Sequence, residues 1–247
     1  MTYCVGLLVN DGLVMLADTR TNAGLDNIST FRKLHIFEKP KSKVMAIATA
    51  GNLAFTQAVI SCLREGVDVG GELQTLLDQP NMFRAAQFIG EVIRTVYKMD
   101  GPALEQVGAS LEVSMLFGGQ MPGQPPRLFM IYRAGNFIEA SVDTPYFQIG
   151  EHKYGKPILD RAVRYSTGIY DGLKLALISM DSTMRSNLGV GLPLDTVVLR
   201  KDQMEWDLDR RIDAADPYFH DLSERWSAAL RQAHLNIPSP PYKQKKE

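Results

Sequence analysis

A chain of 247 residues, 45% apolar and 22% charged, has material for an ordinary globular core, which excludes a disordered or fibrous protein. Its 27 basic and 28 acidic side chains leave a formal net charge of -1, so no global positive field exists to hold nucleic acid or an anionic membrane. No charged segment leads into an apolar core and a cleavage site at the start, and no apolar run approaches the roughly 18 to 20 residues of a membrane span, so a cytoplasmic protein is expected.

Thr2 to Val9 and Leu13 to Arg20 are two apolar, β-rich runs around the turn signal Asn10-Asp11-Gly12, and they predict a hairpin. Cys4, in the first run, and Cys62 are the two cysteines, too few for a disulfide framework, and both are expected to be reduced thiols. Strands follow at Phe31 to Phe37 and Lys43 to Thr49. Ala50-Gly51-Asn52 then breaks the pattern and opens a helix over Leu53 to Arg64. Apolar residues at spacings of three and four predict a second helix over Met82 to Lys98. Strands return at Leu111 to Phe117, Arg127 to Tyr132 and Phe137 to Val142. Helices at Pro157 to Tyr165 and Gly168 to Met184 and a strand pair at Thr196 to Arg200 and Met204 to Leu208 complete the order. Helix pairs separated by antiparallel hairpins predict an α+β fold of two stacked sheets with helices on both outer faces.

We divide the chain into a layered domain over residues 1–209 and a helical extension with a tail over 210–247. In the extension, Asp216 suits an N-cap with Pro217 at the first helical position, and Phe219, Leu222, Trp226, Leu230 and Ala233 fall on one face. That face covers its own subunit or reaches a neighbouring one. Pro238 to Glu247, with three prolines and a lysine cluster, is expected to be a solvated tail.

The common catalytic signatures are missing: there is no His-Glu-x-x-His, Gly-x-Ser-x-Gly or P-loop, and the four histidines are scattered. No cofactor and no metal are expected. The start of the chain offers a different chemistry, because removal of Met1 would leave Thr2 with a free α-amine beside its own hydroxyl. With a reference pKa of about 7.7 to 8.0, that amine can take the hydroxyl proton near neutrality, so one residue supplies both nucleophile and base. If Asn10-Asp11-Gly12 is a three-residue loop, Cys4 pairs with Asp18 and Thr2 with Arg20, and Thr2 and Asp18 lie diagonally on one face. A two-residue loop would shift the pairing by one and separate them. Asp18 and Arg20 could equally form a solvated edge pair, although their apolar surroundings favour a partly buried cluster that needs internal partners.

Thr2-Tyr3-Cys4-Val5-Gly6, Leu16-Ala17-Asp18-Thr19-Arg20, Phe31-Arg32-Lys33-Leu34 and Ala48-Thr49-Ala50-Gly51-Asn52-Leu53-Ala54 resemble, in order and spacing, the catalytic β-subunits of proteasomes and their bacterial relatives. The run Asp18 to Gly24, the long C-terminal addition and the placement of Met1 directly before Thr2 are similar to the bacterial Anbu, or ancestral beta subunit, family. The resemblance implies an N-terminal nucleophile hydrolase with a four-layer αββα sandwich. In it Thr2 matches the nucleophile, Asp18 the carboxylate that holds the active-site lysine, Lys33 that lysine, and Gly51 the backbone N–H of the oxyanion site. It also implies a threonine peptidase acting on peptides or unfolded protein, working as a homo-oligomeric ring or helical stack, with any unfoldase partner unknown. An N-terminal nucleophile amidase for small amides and a silent scaffold ring that retains Met1 are the alternatives.

The sequence departs from the family pattern at two places. Where proteasome subunits carry Gly-Ser-Gly, this chain has Gly150-Glu151-His152, which offers Glu151 or His152 instead of the serine, and the Asp-x-x-Ser-Gly element is only loosely present between Asp181 and Asn187. Glu151, Asp181, Ser182 and Ser186 are therefore secondary candidates for supporting the terminal amine, and Arg20, from the cluster with Asp18, is a further secondary site candidate.

Overall fold

The apolar runs at the start form β1 (Tyr3–Val9) and β2 (Gly12–Asp18), and every residue of both is buried. A strand without a wet face must lie between two layers. A computed structural model, which describes residues 1–22, 28–106 and 112–242, shows what those layers are.

After β2 come the short strands β3 (Arg20–Asn22) and β4 (Ile28–Thr30), then β5 (Leu34–Lys39) and β6 (Lys43–Gly51). Helix α1 (Leu53–Glu65) starts at Asn52, whose side chain accepts a hydrogen bond from the Phe55 N–H. A small hairpin, β7 (Val67–Val69) and β8 (Glu72–Gln74), leads to α2 (Met82–Gln106). The chain continues through β9 (Val113–Gln120), β10 (Arg127–Tyr132), β11 (Phe137–Glu139), β12 (Tyr146–Gly150), α3 (Lys156–Ala162), α4 (Ile169–Ser186), β13 (Leu194–Arg200), β14 (Leu208–Ile212) and α5 (Pro217–Asn236).

The molecule is thus a mixed α and β protein with two five-stranded sheets, ordered β12-β1-β2-β13-β14 and β11-β10-β9-β6-β5, in which the described pairings are antiparallel. One core contains Cys4, Leu13, Met15, Val197 and Leu199 from the first sheet together with Val44, Ala46, Ala48, Leu116 and Leu128 from the second. The alternate residues Met45, Ile47, Met115 and Phe117 belong to a second core with Phe55, Val59, Ile89 and Ile93 of α1 and α2. This period of two, with both sets apolar, is the strand alternation of a sheet covered on both sides. On the far face of the first sheet, Gly172 of α4 lies so close to Leu7 and Val14 that an added methyl group would touch both.

Several boundaries differ from the sequence reading. The first hairpin has a two-residue loop, with Val9 opposite Gly12 and Cys4 opposite Ala17. Asn10 and Asp11 keep negative φ, and the glycine is required one residue later: a Cβ on Gly12, at φ +147°, would lie 2.0 Å from the Leu199 carbonyl oxygen. The last strand is Leu208–Ile212, not Met204 to Leu208, because residues 201–207 turn at Asp202 (φ +67°) while Met204 and Trp206 pack on the core. Helix α2 runs past Lys98, with Pro102 inside it, and Leu111 lies outside the described residues.

Two units divide the chain, Met1–Ala214 and Ala215–Glu247, and the boundary expected at 209 falls inside β14. In the second unit Asp216 caps α5 by accepting from the Phe219 N–H at 2.9 Å, with Pro217 at the first helical position. Phe219 and Leu222 are buried, but Leu230 and Ala233 of the same stripe are exposed. Of the expected tail, residues 243–247 lie outside the described residues.

Candidate active site

Lys33 enters just before β5 with its side chain almost wholly buried, so its ammonium needs partners inside the protein. It has three. The Lys33 Nζ donates to Asp18 Oδ1 at 2.9 Å, to the Arg20 carbonyl at 2.6 Å and to the Met1 carbonyl at 3.3 Å. Asp18 is fully buried at the end of β2 and also accepts from the Tyr3 N–H at 3.0 Å and the Gly191 N–H at 3.3 Å. The two-residue loop therefore sets Asp18 opposite Tyr3 and corrects the expected shared face with Thr2; the carboxylate is linked through the Lys33 ammonium to the Met1 carbonyl, which precedes Thr2.

Burial is the largest influence on the Asp18 carboxyl and raises its pKa, against the opposing pull of Lys33 and the two N–H donors. The sign has a consequence. As pH falls, Asp18 takes a proton above its ordinary value of 3.8 and Lys33 loses its counter-charge. Any reactivity of Thr2 that needs this pair is expected to decline on the acid side with a midpoint above 3.8, which a labelling-rate profile against pH measures.

Thr2 itself is held by β12. Its carbonyl accepts from the Glu151 N–H at 2.7 Å, and a Cβ on Gly150, at φ +79°, would lie 2.0 Å from that carbonyl oxygen. Tyr3 anchors the next position: its phenol meets Ser179 Oγ at 3.0 Å and accepts from Gln148, and burial pushes the phenol pKa up, so it stays neutral.

Gly51 ends β6 at φ +120°, where an added Cβ would lie 1.9 Å from the Glu112 carbonyl oxygen. The Thr49 N–H bonds across to the Lys33 carbonyl, and the Asn52 N–H bonds the other way to the Glu112 carbonyl, each at 2.9 Å. Strand alternation then turns the Gly51 N–H toward the edge that carries Lys33 and past the end of the β5 ladder.

Two cavities meet here. A cleft of about 750 Å³ is lined by Thr2, Gly51, Glu112, Arg133, Gly150 and Glu151 among others. A smaller pocket of about 170 Å³ shares Met1, Thr2, Ala50 and Gly51 with it and adds Thr21, Lys33, Thr49, Leu53 and Thr56. No histidine lines either one. Among the described residues no three His, Cys, Asp or Glu converge as a metal site requires, and no helix is long and apolar enough to cross a membrane.

The structure thus brings Thr2, Asp18, Lys33 and Gly51 together. The secondary candidates divide. Glu151 lines the cleft, and its Oε2 accepts from Asn187 Nδ2 at 3.1 Å, while Asn187 Oδ1 accepts from the Gly189 N–H at 2.9 Å. Arg20 contributes its carbonyl to Lys33, but its guanidinium turns to the Leu188 carbonyl at 3.0 Å. Asp181 lies on α4 paired with Arg185 at 3.1 Å, Ser182 is half-buried and Ser186 exposed, and none of these three lines either cavity. Of the run Asp18 to Gly24, Ala23 and Gly24 lie outside the described residues.

Gly150, Glu112, Asn187 and Thr21 are site residues that sequence reasoning did not single out. For the first the signal was present: Phe147 and Ile149, apolar on either side of Gln148 and closed by Gly150, have the alternation of a short strand.

No protein-family model matches the chain, and no curated protein does. Solved structures do. The Gly-1 mutant of Anbu from Hyphomicrobium sp. strain MC1 is 47% identical, with a TM-score of 0.89 over 98% of this chain and 100% of that one. The chain belongs to the Anbu family. Anbu (ancestral beta-subunit) from Yersinia bercovieri is 43% identical over 98% of this chain and all of its own, also at a TM-score of 0.89. The helical assembly of the Anbu complex from Pseudomonas aeruginosa gives 42% identity and a TM-score of 0.89 over 97% of this chain and 98% of that one. Membership makes this Anbu chain a relative of the proteasome.

Proposed function

We propose that the chain, once Met1 is removed, is a threonine peptidase of the N-terminal nucleophile type, with a four-layer αββα arrangement and Thr2 as nucleophile. One observation carries the reading: the Lys33 ammonium, paired with buried Asp18, also contacts the carbonyl that joins Met1 to Thr2, so its charge lies where the freed amine would be. A neighbouring ammonium disfavours a second positive charge and lowers the pKa of that amine, which then serves as base.

In the reaction the Thr2 hydroxyl passes its proton to its own amine as Oγ bonds to the substrate carbonyl carbon. The oxyanion forms against the Gly51 N–H, a group whose loss typically costs about 2.7 to 4 kcal/mol of barrier. Collapse breaks the C–N bond, the proton goes to the leaving amine, and water cleaves the ester with the same amine as base. Lys33 and Asp18 position the amine and tune it. Glu151, whose N–H holds Thr2, orients the start of β1.

We further infer peptide or unfolded-protein substrates, a cytoplasmic setting and a homo-oligomeric ring or helical stack, the last supported by the helical assembly of the Pseudomonas aeruginosa Anbu complex. Intact-mass analysis and labelling test the reading together. The expected result is loss of the initiator methionine and modification of wild type by a threonine-directed electrophile, with no modification of Thr2→Ala. Retention of Met1 in the assembled protein would instead support the scaffold reading, and cleavage confined to small amides would support an amidase.

A further inference from the structure

Removal of Met1 hydrolyses one amide bond: water adds to the Met1 carbonyl carbon, the C–N bond breaks, free methionine leaves and Thr2 keeps the nitrogen as its α-amine. An enzyme that does this must place its own catalytic group on that carbonyl and draw the next residues into its cleft. The burial and bonding of the backbone around the bond therefore decide when it can act.

The Met1 side chain is open, at 62% exposure, and taken alone it describes an accessible terminus. The bond behind it is not open. The Met1 carbonyl accepts from Lys33 Nζ at 3.3 Å, and Lys33 is only 4% exposed. The Thr2 carbonyl takes the Glu151 N–H at 2.7 Å, the Tyr3 N–H goes to Asp18 at 3.0 Å, and Tyr3 is wholly buried. Beside Met1, a Cβ on Gly189 would lie 2.7 Å from the Met1 Cβ. That stretch of chain is held by Asn187 Oδ1, which accepts from the Gly189 N–H, and by the Arg20 guanidinium, which donates to the Leu188 carbonyl. To present the Met1–Thr2 amide to a second protein, the bonds of Met1, Thr2 and Tyr3 must open and the start of β1 must leave the middle of a sheet.

We propose that Met1 can be trimmed only before β1 joins its sheet, by an aminopeptidase acting on the newly made chain, and that a chain which folds with Met1 in place is locked in a silent form. The share of free Thr2 is then fixed during synthesis, and aminopeptidase supplied afterwards does not raise it. This rests on the reading above, in which Met1 removal frees the nucleophile, and adds when that removal can occur. Its readout is intact mass, so it is decided whether or not Thr2 proves reactive.

Full-length protein made in cells with methionine aminopeptidase inhibited keeps Met1. Once folded, it is incubated with purified methionine aminopeptidase beside a peptide of residues 1–6. The folded protein is expected to lose Met1 at least about 100-fold more slowly than the peptide, while protein diluted from urea into the enzyme loses it in the fraction caught before refolding. Tyr3→Phe, which deletes the phenol bonded to Ser179 and Gln148, should speed trimming of the folded protein about fivefold at unchanged assembly size. Trimming of the folded protein within about tenfold of the peptide's rate would overturn the proposal, as would loss of Met1 with no aminopeptidase added. A rate unmoved by Tyr3→Phe would place the barrier outside the sheet and overturn it too. So would a Met1-bearing protein with no cooperative urea transition, since no folded silent form would then exist.

Discussion

Lys33→Met is expected to lower the unfolding free energy by about 3 to 5 kcal/mol and to abolish labelling of Thr2, the first because it strands a fully buried carboxylate and the second because it removes the charge beside the amine. Desolvation decides the size of the effect. Asp18 would keep two backbone N–H donors, from Tyr3 and Gly191, but no counter-charge. Adding Asp18→Asn should return much of the lost stability, since an amide can stay neutral against the same two donors, while Thr2 remains unreactive. Urea denaturation of the two single variants and the double variant separates stability from reactivity. A Lys33→Met protein within about 1 kcal/mol of wild type would mean that the pair is more hydrated than its burial indicates.

Gly51→Ala should cost about 3 kcal/mol, because it combines a φ unfavourable to L-residues with a Cβ placed 1.9 Å from the Glu112 carbonyl. Relief requires that β6 move from β9 at the point where the Asn52 N–H bonds to Glu112, so the Gly51 N–H, the proposed oxyanion donor, moves as well. The turn glycine Gly70 supplies the control. Its φ is +67° but nothing lies within 4 Å of an added Cβ, so Gly70→Ala should cost only about 1 kcal/mol, without effect on labelling. Thermal denaturation with labelling of both variants distinguishes strain alone from strain with displacement; equal losses would show that the close approach at Gly51 relaxes freely.

The apolar runs of β1, β2 and β6 made the layered core legible, because strands buried on both faces leave no polar alternation to confuse the reading. Register was harder. Whether Asn10-Asp11-Gly12 holds two or three loop residues depends on Gly12 approaching the Leu199 carbonyl, a contact with β13 that lies far along the chain. The Lys33–Asp18 pair joins the end of β2 to the residue before β5 across a sequence gap that no spacing rule covers, so it was legible through family resemblance and not through local pattern. Glu151 was singled out as an amine support in place of a serine; the structure adds that its backbone N–H holds the Thr2 carbonyl. That role follows from β12, whose five residues carry only a short alternation. Arg20 misled for a related reason, since the chemistry of its side chain drew attention while its carbonyl meets Lys33.

Because β12 and β2 flank β1, the first residues of the chain lie inside a sheet and not at its edge. The ends of most domains exchange amide hydrogens freely, being the first backbone to fray. Here the Tyr3 N–H is bonded to a buried carboxylate and the Glu151 N–H to the Thr2 carbonyl. Both should exchange as slowly as the core, which gives the residues around Thr2 a rigidity that chain ends seldom have.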